Sequence, residues 1–194
     1  MDFLDCPFFK NRFDLLSEGV KRAFEIENES ESFGMWLEFG VFTGETVNHI
    51  ARLVETKTIY GFDSFEGLPE DWRDHMIKGF FSTDGIFPEV EKNVTLIKGW
   101  FNEVLPGFIE EHQEEKISFL HIDCDLYSSA KEVLTLCNRN IQSGTVICFD
   151  EFYNYDGWEN YEYKAWTEYC EEYDVKCKYL GRVPTYEQIL LEVL

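Results

Sequence analysis

Asp123-Cys-Asp125 and Asp150-Glu151 each close an apolar run, Ile117 to Ile122 and Thr145 to Phe149. A third acid, Asp63, closes Thr58 to Phe62 in the same way. Asp123, Asp150 and Glu151 offer only oxygen, which suits a hard divalent cation such as magnesium better than zinc. A single carboxylate such as Asp63 can accept both hydroxyls of a ribose. Acids at strand ends also occur as plain solvated termini, so the trio has a structural reading beside the chemical one. His121 precedes Asp123 by two residues, and on a regular strand both side chains share a face. That makes His121 a candidate general base, with a buried structural histidine as the alternative. His49, His75 and His112 have no acidic or cysteine partner at ligand spacing and receive no role.

Upstream lies Trp36-Leu-Glu-Phe-Gly-Val-Phe-Thr-Gly-Glu-Thr46, in which Gly40 and Gly44 bracket a tight loop. Its G-x-x-x-G spacing lacks the third glycine of a dinucleotide fingerprint. Glu38 and Glu45 flank it, and a pyrophosphate at the following helix N-terminus would face both carboxylates at a cost. A sulfonium and an ammonium group would be welcome there, and S-adenosylmethionine (SAM) carries both together with a ribose for Asp63. The glycines equally suit an ordinary strand-to-helix turn, with Glu45 favouring the helix start. The expected cofactor contacts are Glu38, Gly40, Thr43, Gly44, Thr46, Asp63, Ser64, Trp100 and Asp123.

The elements that must position these residues alternate in type. Val47, Ile50, Ala51 and Val54 make one helical face after the loop. Strands are expected at Trp36 to Phe39, Thr58 to Phe62, Val94 to Lys98, Ile117 to Ile122 and Thr145 to Phe149, and a final pair at Val175 to Leu180 and Gln188 to Leu194. Between them come a helix over Asn102 to Glu115 interrupted at Pro106-Gly107, and a helix opened by a capping box, Ser129-Ala-Lys-Glu132. A further helix is expected from about Asn160 to Tyr173. Residues 1–33 form an N-terminal helical cover, with Phe9, Phe13, Leu16, Val20 and Phe24 on one stripe. A lid over the substrate, or a contact between copies in a homo-oligomer, is the alternative role for that helix. The long run from Ser64 to Glu91 has no periodicity, and such connections are usually functional or mobile. Trp100, at a strand end, can stack on an adenine or fill the helix–sheet interface. Alternating strands and helices imply a parallel doubly wound α/β sheet with its ligands at the strand C-termini, where all the candidate residues fall.

The chain has 194 residues and a formal net charge of −21, with 18 Phe, 10 Tyr and 5 Trp. That length fits one domain with a substantial core. No Lys/Arg cluster could neutralise phosphates, which argues against nucleic acid and against anionic membranes as partners. Six cysteines lie scattered without a C-x-x-C, and no signal peptide or membrane span is visible, so a reducing, cytoplasmic setting is expected.

Four segments occur in register: Gly61-Phe-Asp-Ser-Phe-Glu-Gly-Leu-Pro69, Lys98-Gly-Trp-Phe101 with Leu105-Pro106, His121-Ile-Asp-Cys-Asp-Leu-Tyr-Ser-Ser129, and Gly144-Thr-Val-Ile-Cys-Phe-Asp-Glu-Phe152. The series resembles the macrocin O-methyltransferase family of class I SAM-dependent methyltransferases, over roughly residues 34–170. The resemblance implies a Rossmann-like seven-stranded sheet in the order 3-2-1-4-5-7-6, with the last strand antiparallel. It also implies SAM as methyl donor, a divalent metal (usually magnesium), and a hydroxyl acceptor that is often a sugar. Asp123 and Asp150 match the family's metal acids, Asp63 its ribose acid, and Glu151 stands where a second aspartate is usual.

The expected activity is therefore SAM-dependent O-methylation of a small hydroxylated molecule, with Asp123 and His121 as the catalytic candidates. Two rivals stand beside it. A nicotinamide-dependent Rossmann oxidoreductase would want the missing glycine, and a non-catalytic SAM-binding protein would not need both sets of strand-end acids.

Overall fold

The computed structural model describes residues 3–73 and 75–194. Among these residues five α-helices flank one sheet: α1 (Arg12–Ser30), α2 (Glu45–Leu53), α3 (Phe101–Glu111), α4 (Tyr127–Leu136) and α5 (Glu162–Tyr173). The strands are β1 (Met35–Phe39), β2 (Ile59–Asp63), β3 (Val94–Lys98), β4 (Ile117–Ile122), β5 (Val146–Phe149), β6 (Cys177–Arg182) and β7 (Ile189–Val193). They form a seven-stranded sheet in the order β3-β2-β1-β4-β5-β7-β6. The pairings β3-β2-β1-β4-β5 are parallel, and β7 runs antiparallel to both β5 and β6. This is the expected order.

Central strands covered on both faces read as unbroken apolar runs. β1, β4 and β5 are accordingly buried at every position. Alternation along each strand then sorts the side chains between two layers. Leu37, Phe39, Phe62, Leu120, Ile122 and Phe149 pack with Leu105, Phe108, Val133, Leu134 and Trp166 of α3, α4 and α5. On the opposite face Trp36, Phe119, Val146, Cys148 and Leu190 meet Leu15, Leu16, Val20 and Ala23 of α1 and Val47, Ile50 and Ala51 of α2. The N-terminal helix thus lies on a sheet face, over β4, β5 and β7.

Three local expectations need correction. α1 starts at Arg12, capped by Asn11, whose side chain accepts the Asp14 N–H, so Phe9 lies outside it. Its buried stripe is Leu15, Leu16, Gly19, Val20 and Ala23, with Phe13 and Phe24 at the margin. α3 runs unbroken through Pro106. A proline this close to the N-terminus removes one helical hydrogen bond, and burial of Leu105 and Phe108 offsets that loss. α4 starts two residues before Ser129, which is buried within its first turn and caps nothing. Asp125 turns the chain in the left-handed region at φ 65°, and Leu126 becomes the cap position.

The irregular run after β2 is folded back on itself. The Gly79 N–H donates to the Leu68 carbonyl and the Leu68 N–H to the Phe80 carbonyl, and Leu68 and Trp72 pack with Leu126, Phe80, Phe81 and Tyr155. All six cysteines are free. Among the described residues no helix is long and apolar enough to cross a membrane.

Candidate active site

Strand register decides where the strand-end residues fall. Phe62, Phe39, Ile122 and Phe149 stand in one line across β2, β1, β4 and β5. The next residue in each case therefore forms a second line: Asp63, Gly40, Asp123 and Asp150. Backbone bonds from Gly40 N to Phe62 O, Asp123 N to Phe39 O and Asp150 N to Ile122 O, each 2.9 Å, hold that line together. Above it opens a cavity of about 640 Å³, in the size range of small-molecule and cofactor sites. Gly40, Thr43, Thr46, Asp63, Ser64, Trp100, Asp123 and Glu151 line it.

Gly40 is required by the close approach of the chain leaving β1 to the backbone at the end of β4. Its φ is 91°, and a Cβ there would sit 1.6 Å from the Asp123 carbonyl oxygen. Asp63 braces the loop beyond it. Oδ2 accepts the Val41 and Phe42 N–H groups at 2.8 Å each, and Oδ1 accepts Phe65 N–H at 2.7 Å. A carboxylate has about four lone-pair sites, so Oδ1 keeps one free, and Asp63 lines the cavity. Ser64 Oγ accepts Glu66 N–H at 3.1 Å and stabilises the same turn. Gly44, at φ 80°, caps α2 from behind the cavity wall, and Trp100 occupies the cap position of α3 on the opposite wall.

Beneath the floor lies a buried polar relay. Glu38 and His121 are register partners on β1 and β4, and both are fully buried. Glu38 Oε1 accepts the Thr46 hydroxyl at 3.0 Å, and Oε2 lies 2.9 Å from His121 Nδ1. Both oxygens of Glu38 are thus engaged below the cavity. On the far side of the ring, His121 Nε2 lies 3.7 Å from Asp150 Oδ1, an ion-pair contact too long for a hydrogen bond. Neither atom has a hydrogen-bond partner among the described residues. Burial alone would lower the imidazole pKa, but the facing carboxylates of Asp150 and Glu38 outweigh it and raise it to about 10.

The neighbouring acids crowd one another. Burial first, then the charge of Asp150, pushes Asp123 and Glu151 well above the usual carboxylate range. The same two causes bring Asp125 to about 7. Asp150 moves the other way, because His121 and Arg12 more than cancel the effect of its burial.

Several residues here were not singled out from the sequence. Glu162, at the start of α5 and fully buried, accepts Cys124 N–H at 3.4 Å and Glu151 N–H at 3.1 Å, tying the ends of β4 and β5 together. Arg12 reaches from α1 to an ion pair with Glu45 and to within 3.7 Å of Asp150. Arg73 forms a two-bond pair with Glu187 at 3.0 and 2.9 Å. Gln188 donates to Asp150 Oδ2 at 3.0 Å. Only Gln188 was findable, since pairing Ile189 with Phe149 puts residue 188 beside residue 150.

A divalent cation fits part of this set. Ligand atoms of His121, Asp123 and Asp150 all lie within 4.8 Å of one another. With Nδ1–H donated to Glu38, the Nε2 lone pair would face Asp150 Oδ1, and a proton or a cation must relieve that opposition. Glu151 stands outside this group, and its Oε2 is buried without a hydrogen-bond partner.

A seven-stranded sheet of this order, with a cofactor-sized cavity at its strand ends, defines a Rossmann-like methyltransferase fold. Residues 37–152, more than half the chain, match the family described as a methyltransferase domain, and the chain belongs to that family. No curated protein matches it. Among solved structures, the calicheamicin methyltransferase CalS11 is similar at TM-score 0.70 and 21% identity, over 91% of this chain and 77% of that one. The O-methyltransferase NovP follows at TM-score 0.68 and 19% identity, over 93% and 78%. An O-methyltransferase from Bacillus cereus, in complex with SAH, gives TM-score 0.57 and 15% identity, over 91% and 80%. At these identities the likeness is one of fold.

Proposed function

We propose that the protein is a SAM-dependent O-methyltransferase of the macrocin type, acting on a hydroxyl of a small molecule, a sugar among the candidates, with a divalent ion at its site. The observation that carries this reading is the single line of Asp63, Gly40, Asp123 and Asp150 at the strand ends, the first three lining one cavity, in a member of a methyltransferase family. CalS11 and NovP, both named as methyltransferases, support it by fold.

In this reading the ribose hydroxyl bonds the free lone pair of Asp63 Oδ1, and the adenine stacks on Trp100. The methionine part crosses the loop from Gly40 to Thr43, where Arg12 offers its carboxylate the one guanidinium of the wall. Within the expected cover of residues 1–33, of which 1 and 2 lie outside the described residues, Arg12 is the contribution to the site.

Methyl transfer is an in-line displacement. The acceptor oxygen forms a bond to the methyl carbon, the carbon–sulfur bond breaks, and its electron pair stays on sulfur as SAM becomes S-adenosylhomocysteine. The chain must align the oxygen and take its proton. Asp123 lines the cavity, where its carboxylate is placed to accept that proton. His121 lies outside the lining, so its role is to orient Asp150 and Asp123 from below. Asp123, Asp150 and His121 Nε2 would hold the metal ion, which would lower the pKa of a hydroxyl brought to it.

The test is a turnover assay with SAM over a panel of hydroxylated acceptors, with and without chelator, alongside calorimetry with S-adenosylhomocysteine and NAD. Binding of S-adenosylhomocysteine and chelator-sensitive methyl transfer are expected. Binding of NAD alone overturns the cofactor assignment, and full activity in excess chelator removes the metal.

A further inference from the structure

Past the last rung between them, the tails of β4 and β5 diverge. That rung is the Asp150 N–H donated to the Ile122 carbonyl at 2.9 Å. The Asp123 N–H turns to Phe39 of β1 instead, and Asp125 then bends the chain at φ 65°. The β5 tail leaves toward the β6–β7 turn, where the Phe152 N–H donates to the Glu187 carbonyl at 3.0 Å. Among the described residues no backbone bond joins 123–125 to 150–152. Asp123 and Asp150 sit one on each tail, and two ionised carboxylates so placed drive the tails apart.

One side chain spans the gap. Glu162 Oε1 accepts the Cys124 N–H at 3.4 Å, and Oε2 accepts the Glu151 N–H at 3.1 Å. These are the N–H groups that follow Asp123 and Asp150 directly. Glu162 is fully buried yet lies outside the cavity lining, so it acts on the site only through these bonds. Its own position is anchored. It opens α5, and Trp166 of that helix packs on Phe149 of β5 with ring centroids 5.7 Å apart. The helix N-terminus also favours a carboxylate at this place.

We infer that Glu162 is a positioning residue: by holding the N–H that follows each acid, it fixes the spacing of Asp123 and Asp150 and so the fit of the divalent ion. This rests on the reading of the site as a metal-assisted methyl-transfer centre. Groups that orient metal ligands from behind change metal affinity by roughly 10–100-fold when removed.

The experiment is calorimetry with magnesium and manganese on the full chain saturated with S-adenosylhomocysteine, beside turnover as a function of metal concentration. Glu162→Gln keeps one acceptor and sets an amide NH2 against the other N–H. It should weaken metal binding by about tenfold or more and raise the metal needed for half-maximal turnover to match. S-adenosylhomocysteine affinity should stay within threefold. Saturating metal should restore most of the turnover, which it would not do for a protein that is merely less stable. Glu162→Asp keeps the charge on an arm one methylene shorter, and should weaken metal binding at least threefold. Glu27→Gln, which alters a buried carboxylate far from the site, should leave metal binding within twofold.

Unchanged metal affinity in Glu162→Gln would overturn the inference. So would a loss in Glu162→Gln with full retention in Glu162→Asp, since Glu162 would then act through its charge alone. An equal loss in Glu27→Gln would reduce the effect to stability and overturn it too. Amide exchange of the unaltered protein needs no variant. The Cys124 and Glu151 amides should be protected before any magnesium is added, and protection that arises only with magnesium would mean that the ion, not Glu162, orders the acids. Failure of the unaltered protein to bind a divalent ion, or to bind S-adenosylhomocysteine, would overturn the metal or the methyl-transfer reading itself, which separates those failures from this one.

Discussion

Glu38 and His121 face each other across neighbouring strands with 2.9 Å between Oε2 and Nδ1, and neither is exposed at all. Replacing one member of a buried charged pair leaves the other uncompensated, typically at about 3–5 kcal/mol. Glu38→Gln should therefore destabilise the protein by that order and loosen Thr46 above it. Denaturant unfolding measures this, and a loss below about 1 kcal/mol would mean that the pair is neutral.

Gly40→Ala is expected to be more damaging than a surface glycine change. The new Cβ would meet backbone, which cannot swing aside as a side chain can. Positive φ adds strain of its own. A loss of at least about 2 kcal/mol is expected, together with weakened SAM binding, because β1 and β4 must part. Gly107→Ala, where a Cβ meets nothing within 4 Å, is the control.

Asp63→Ala should weaken SAM and S-adenosylhomocysteine binding at least tenfold, about 1.4 kcal/mol. Asp63 braces three backbone N–H groups, so loop disorder contributes to the loss. Asp63→Asn, which can keep part of that bracing, separates the two effects. Unchanged affinity in both variants would remove the ribose assignment.

Asp150→Asn tests the metal without touching the cofactor wall, since Asp150 is outside the cavity lining. Turnover should fall by about 100-fold, equivalent to ~2.7 kcal/mol of barrier, while SAM affinity changes little. Magnesium or manganese binding, read directly by calorimetry, should be lost in the same variant. Retained metal binding would move the ion elsewhere.

Acid stability should report on Glu27, far from the site. It is 1% exposed and pairs with Lys57 at 2.7 Å, while accepting the Ser118 hydroxyl at 2.5 Å and Gly34 N–H at 3.1 Å. Burial raises its pKa, but Lys57, Ser118 and Gly34 together hold it below the ordinary value of 4.5. A depressed folded-state pKa gives stability that is present above the unfolded value and lost as pH falls through the folded one. Unfolding free energy should thus decline below about pH 4.5, less steeply in Glu27→Gln. Parallel pH profiles for the two proteins would contradict this.

The strand segments were legible because a buried parallel sheet needs continuous apolar runs, and the runs from Ile117 and Thr145 are of that kind; their order came from the family resemblance. Helix boundaries were less so. Ser129-Ala-Lys-Glu132 has the residues of a capping box, yet the turn at Asp125 starts α4 earlier. Local chemistry offered two starts, and the geometry of the chain leaving β4 chose one. Pro106 shows the converse, a helix breaker tolerated because Leu105 and Phe108 around it are buried.

By itself the sequence determined that Asp63, Gly40, Asp123 and Asp150 end strands, and therefore that they gather at one edge of a parallel sheet. Tertiary structure decided which of their atoms face the cavity. Glu38 meets His121 across 83 positions and Glu27 meets Ser118 across 91. Glu162, Arg12 and Gln188 arrive at the strand ends from other elements. Periodicity reports only which face of an element is apolar. A buried carboxylate needs donors from wherever the fold brings them, and those partners are set by packing and register between distant segments.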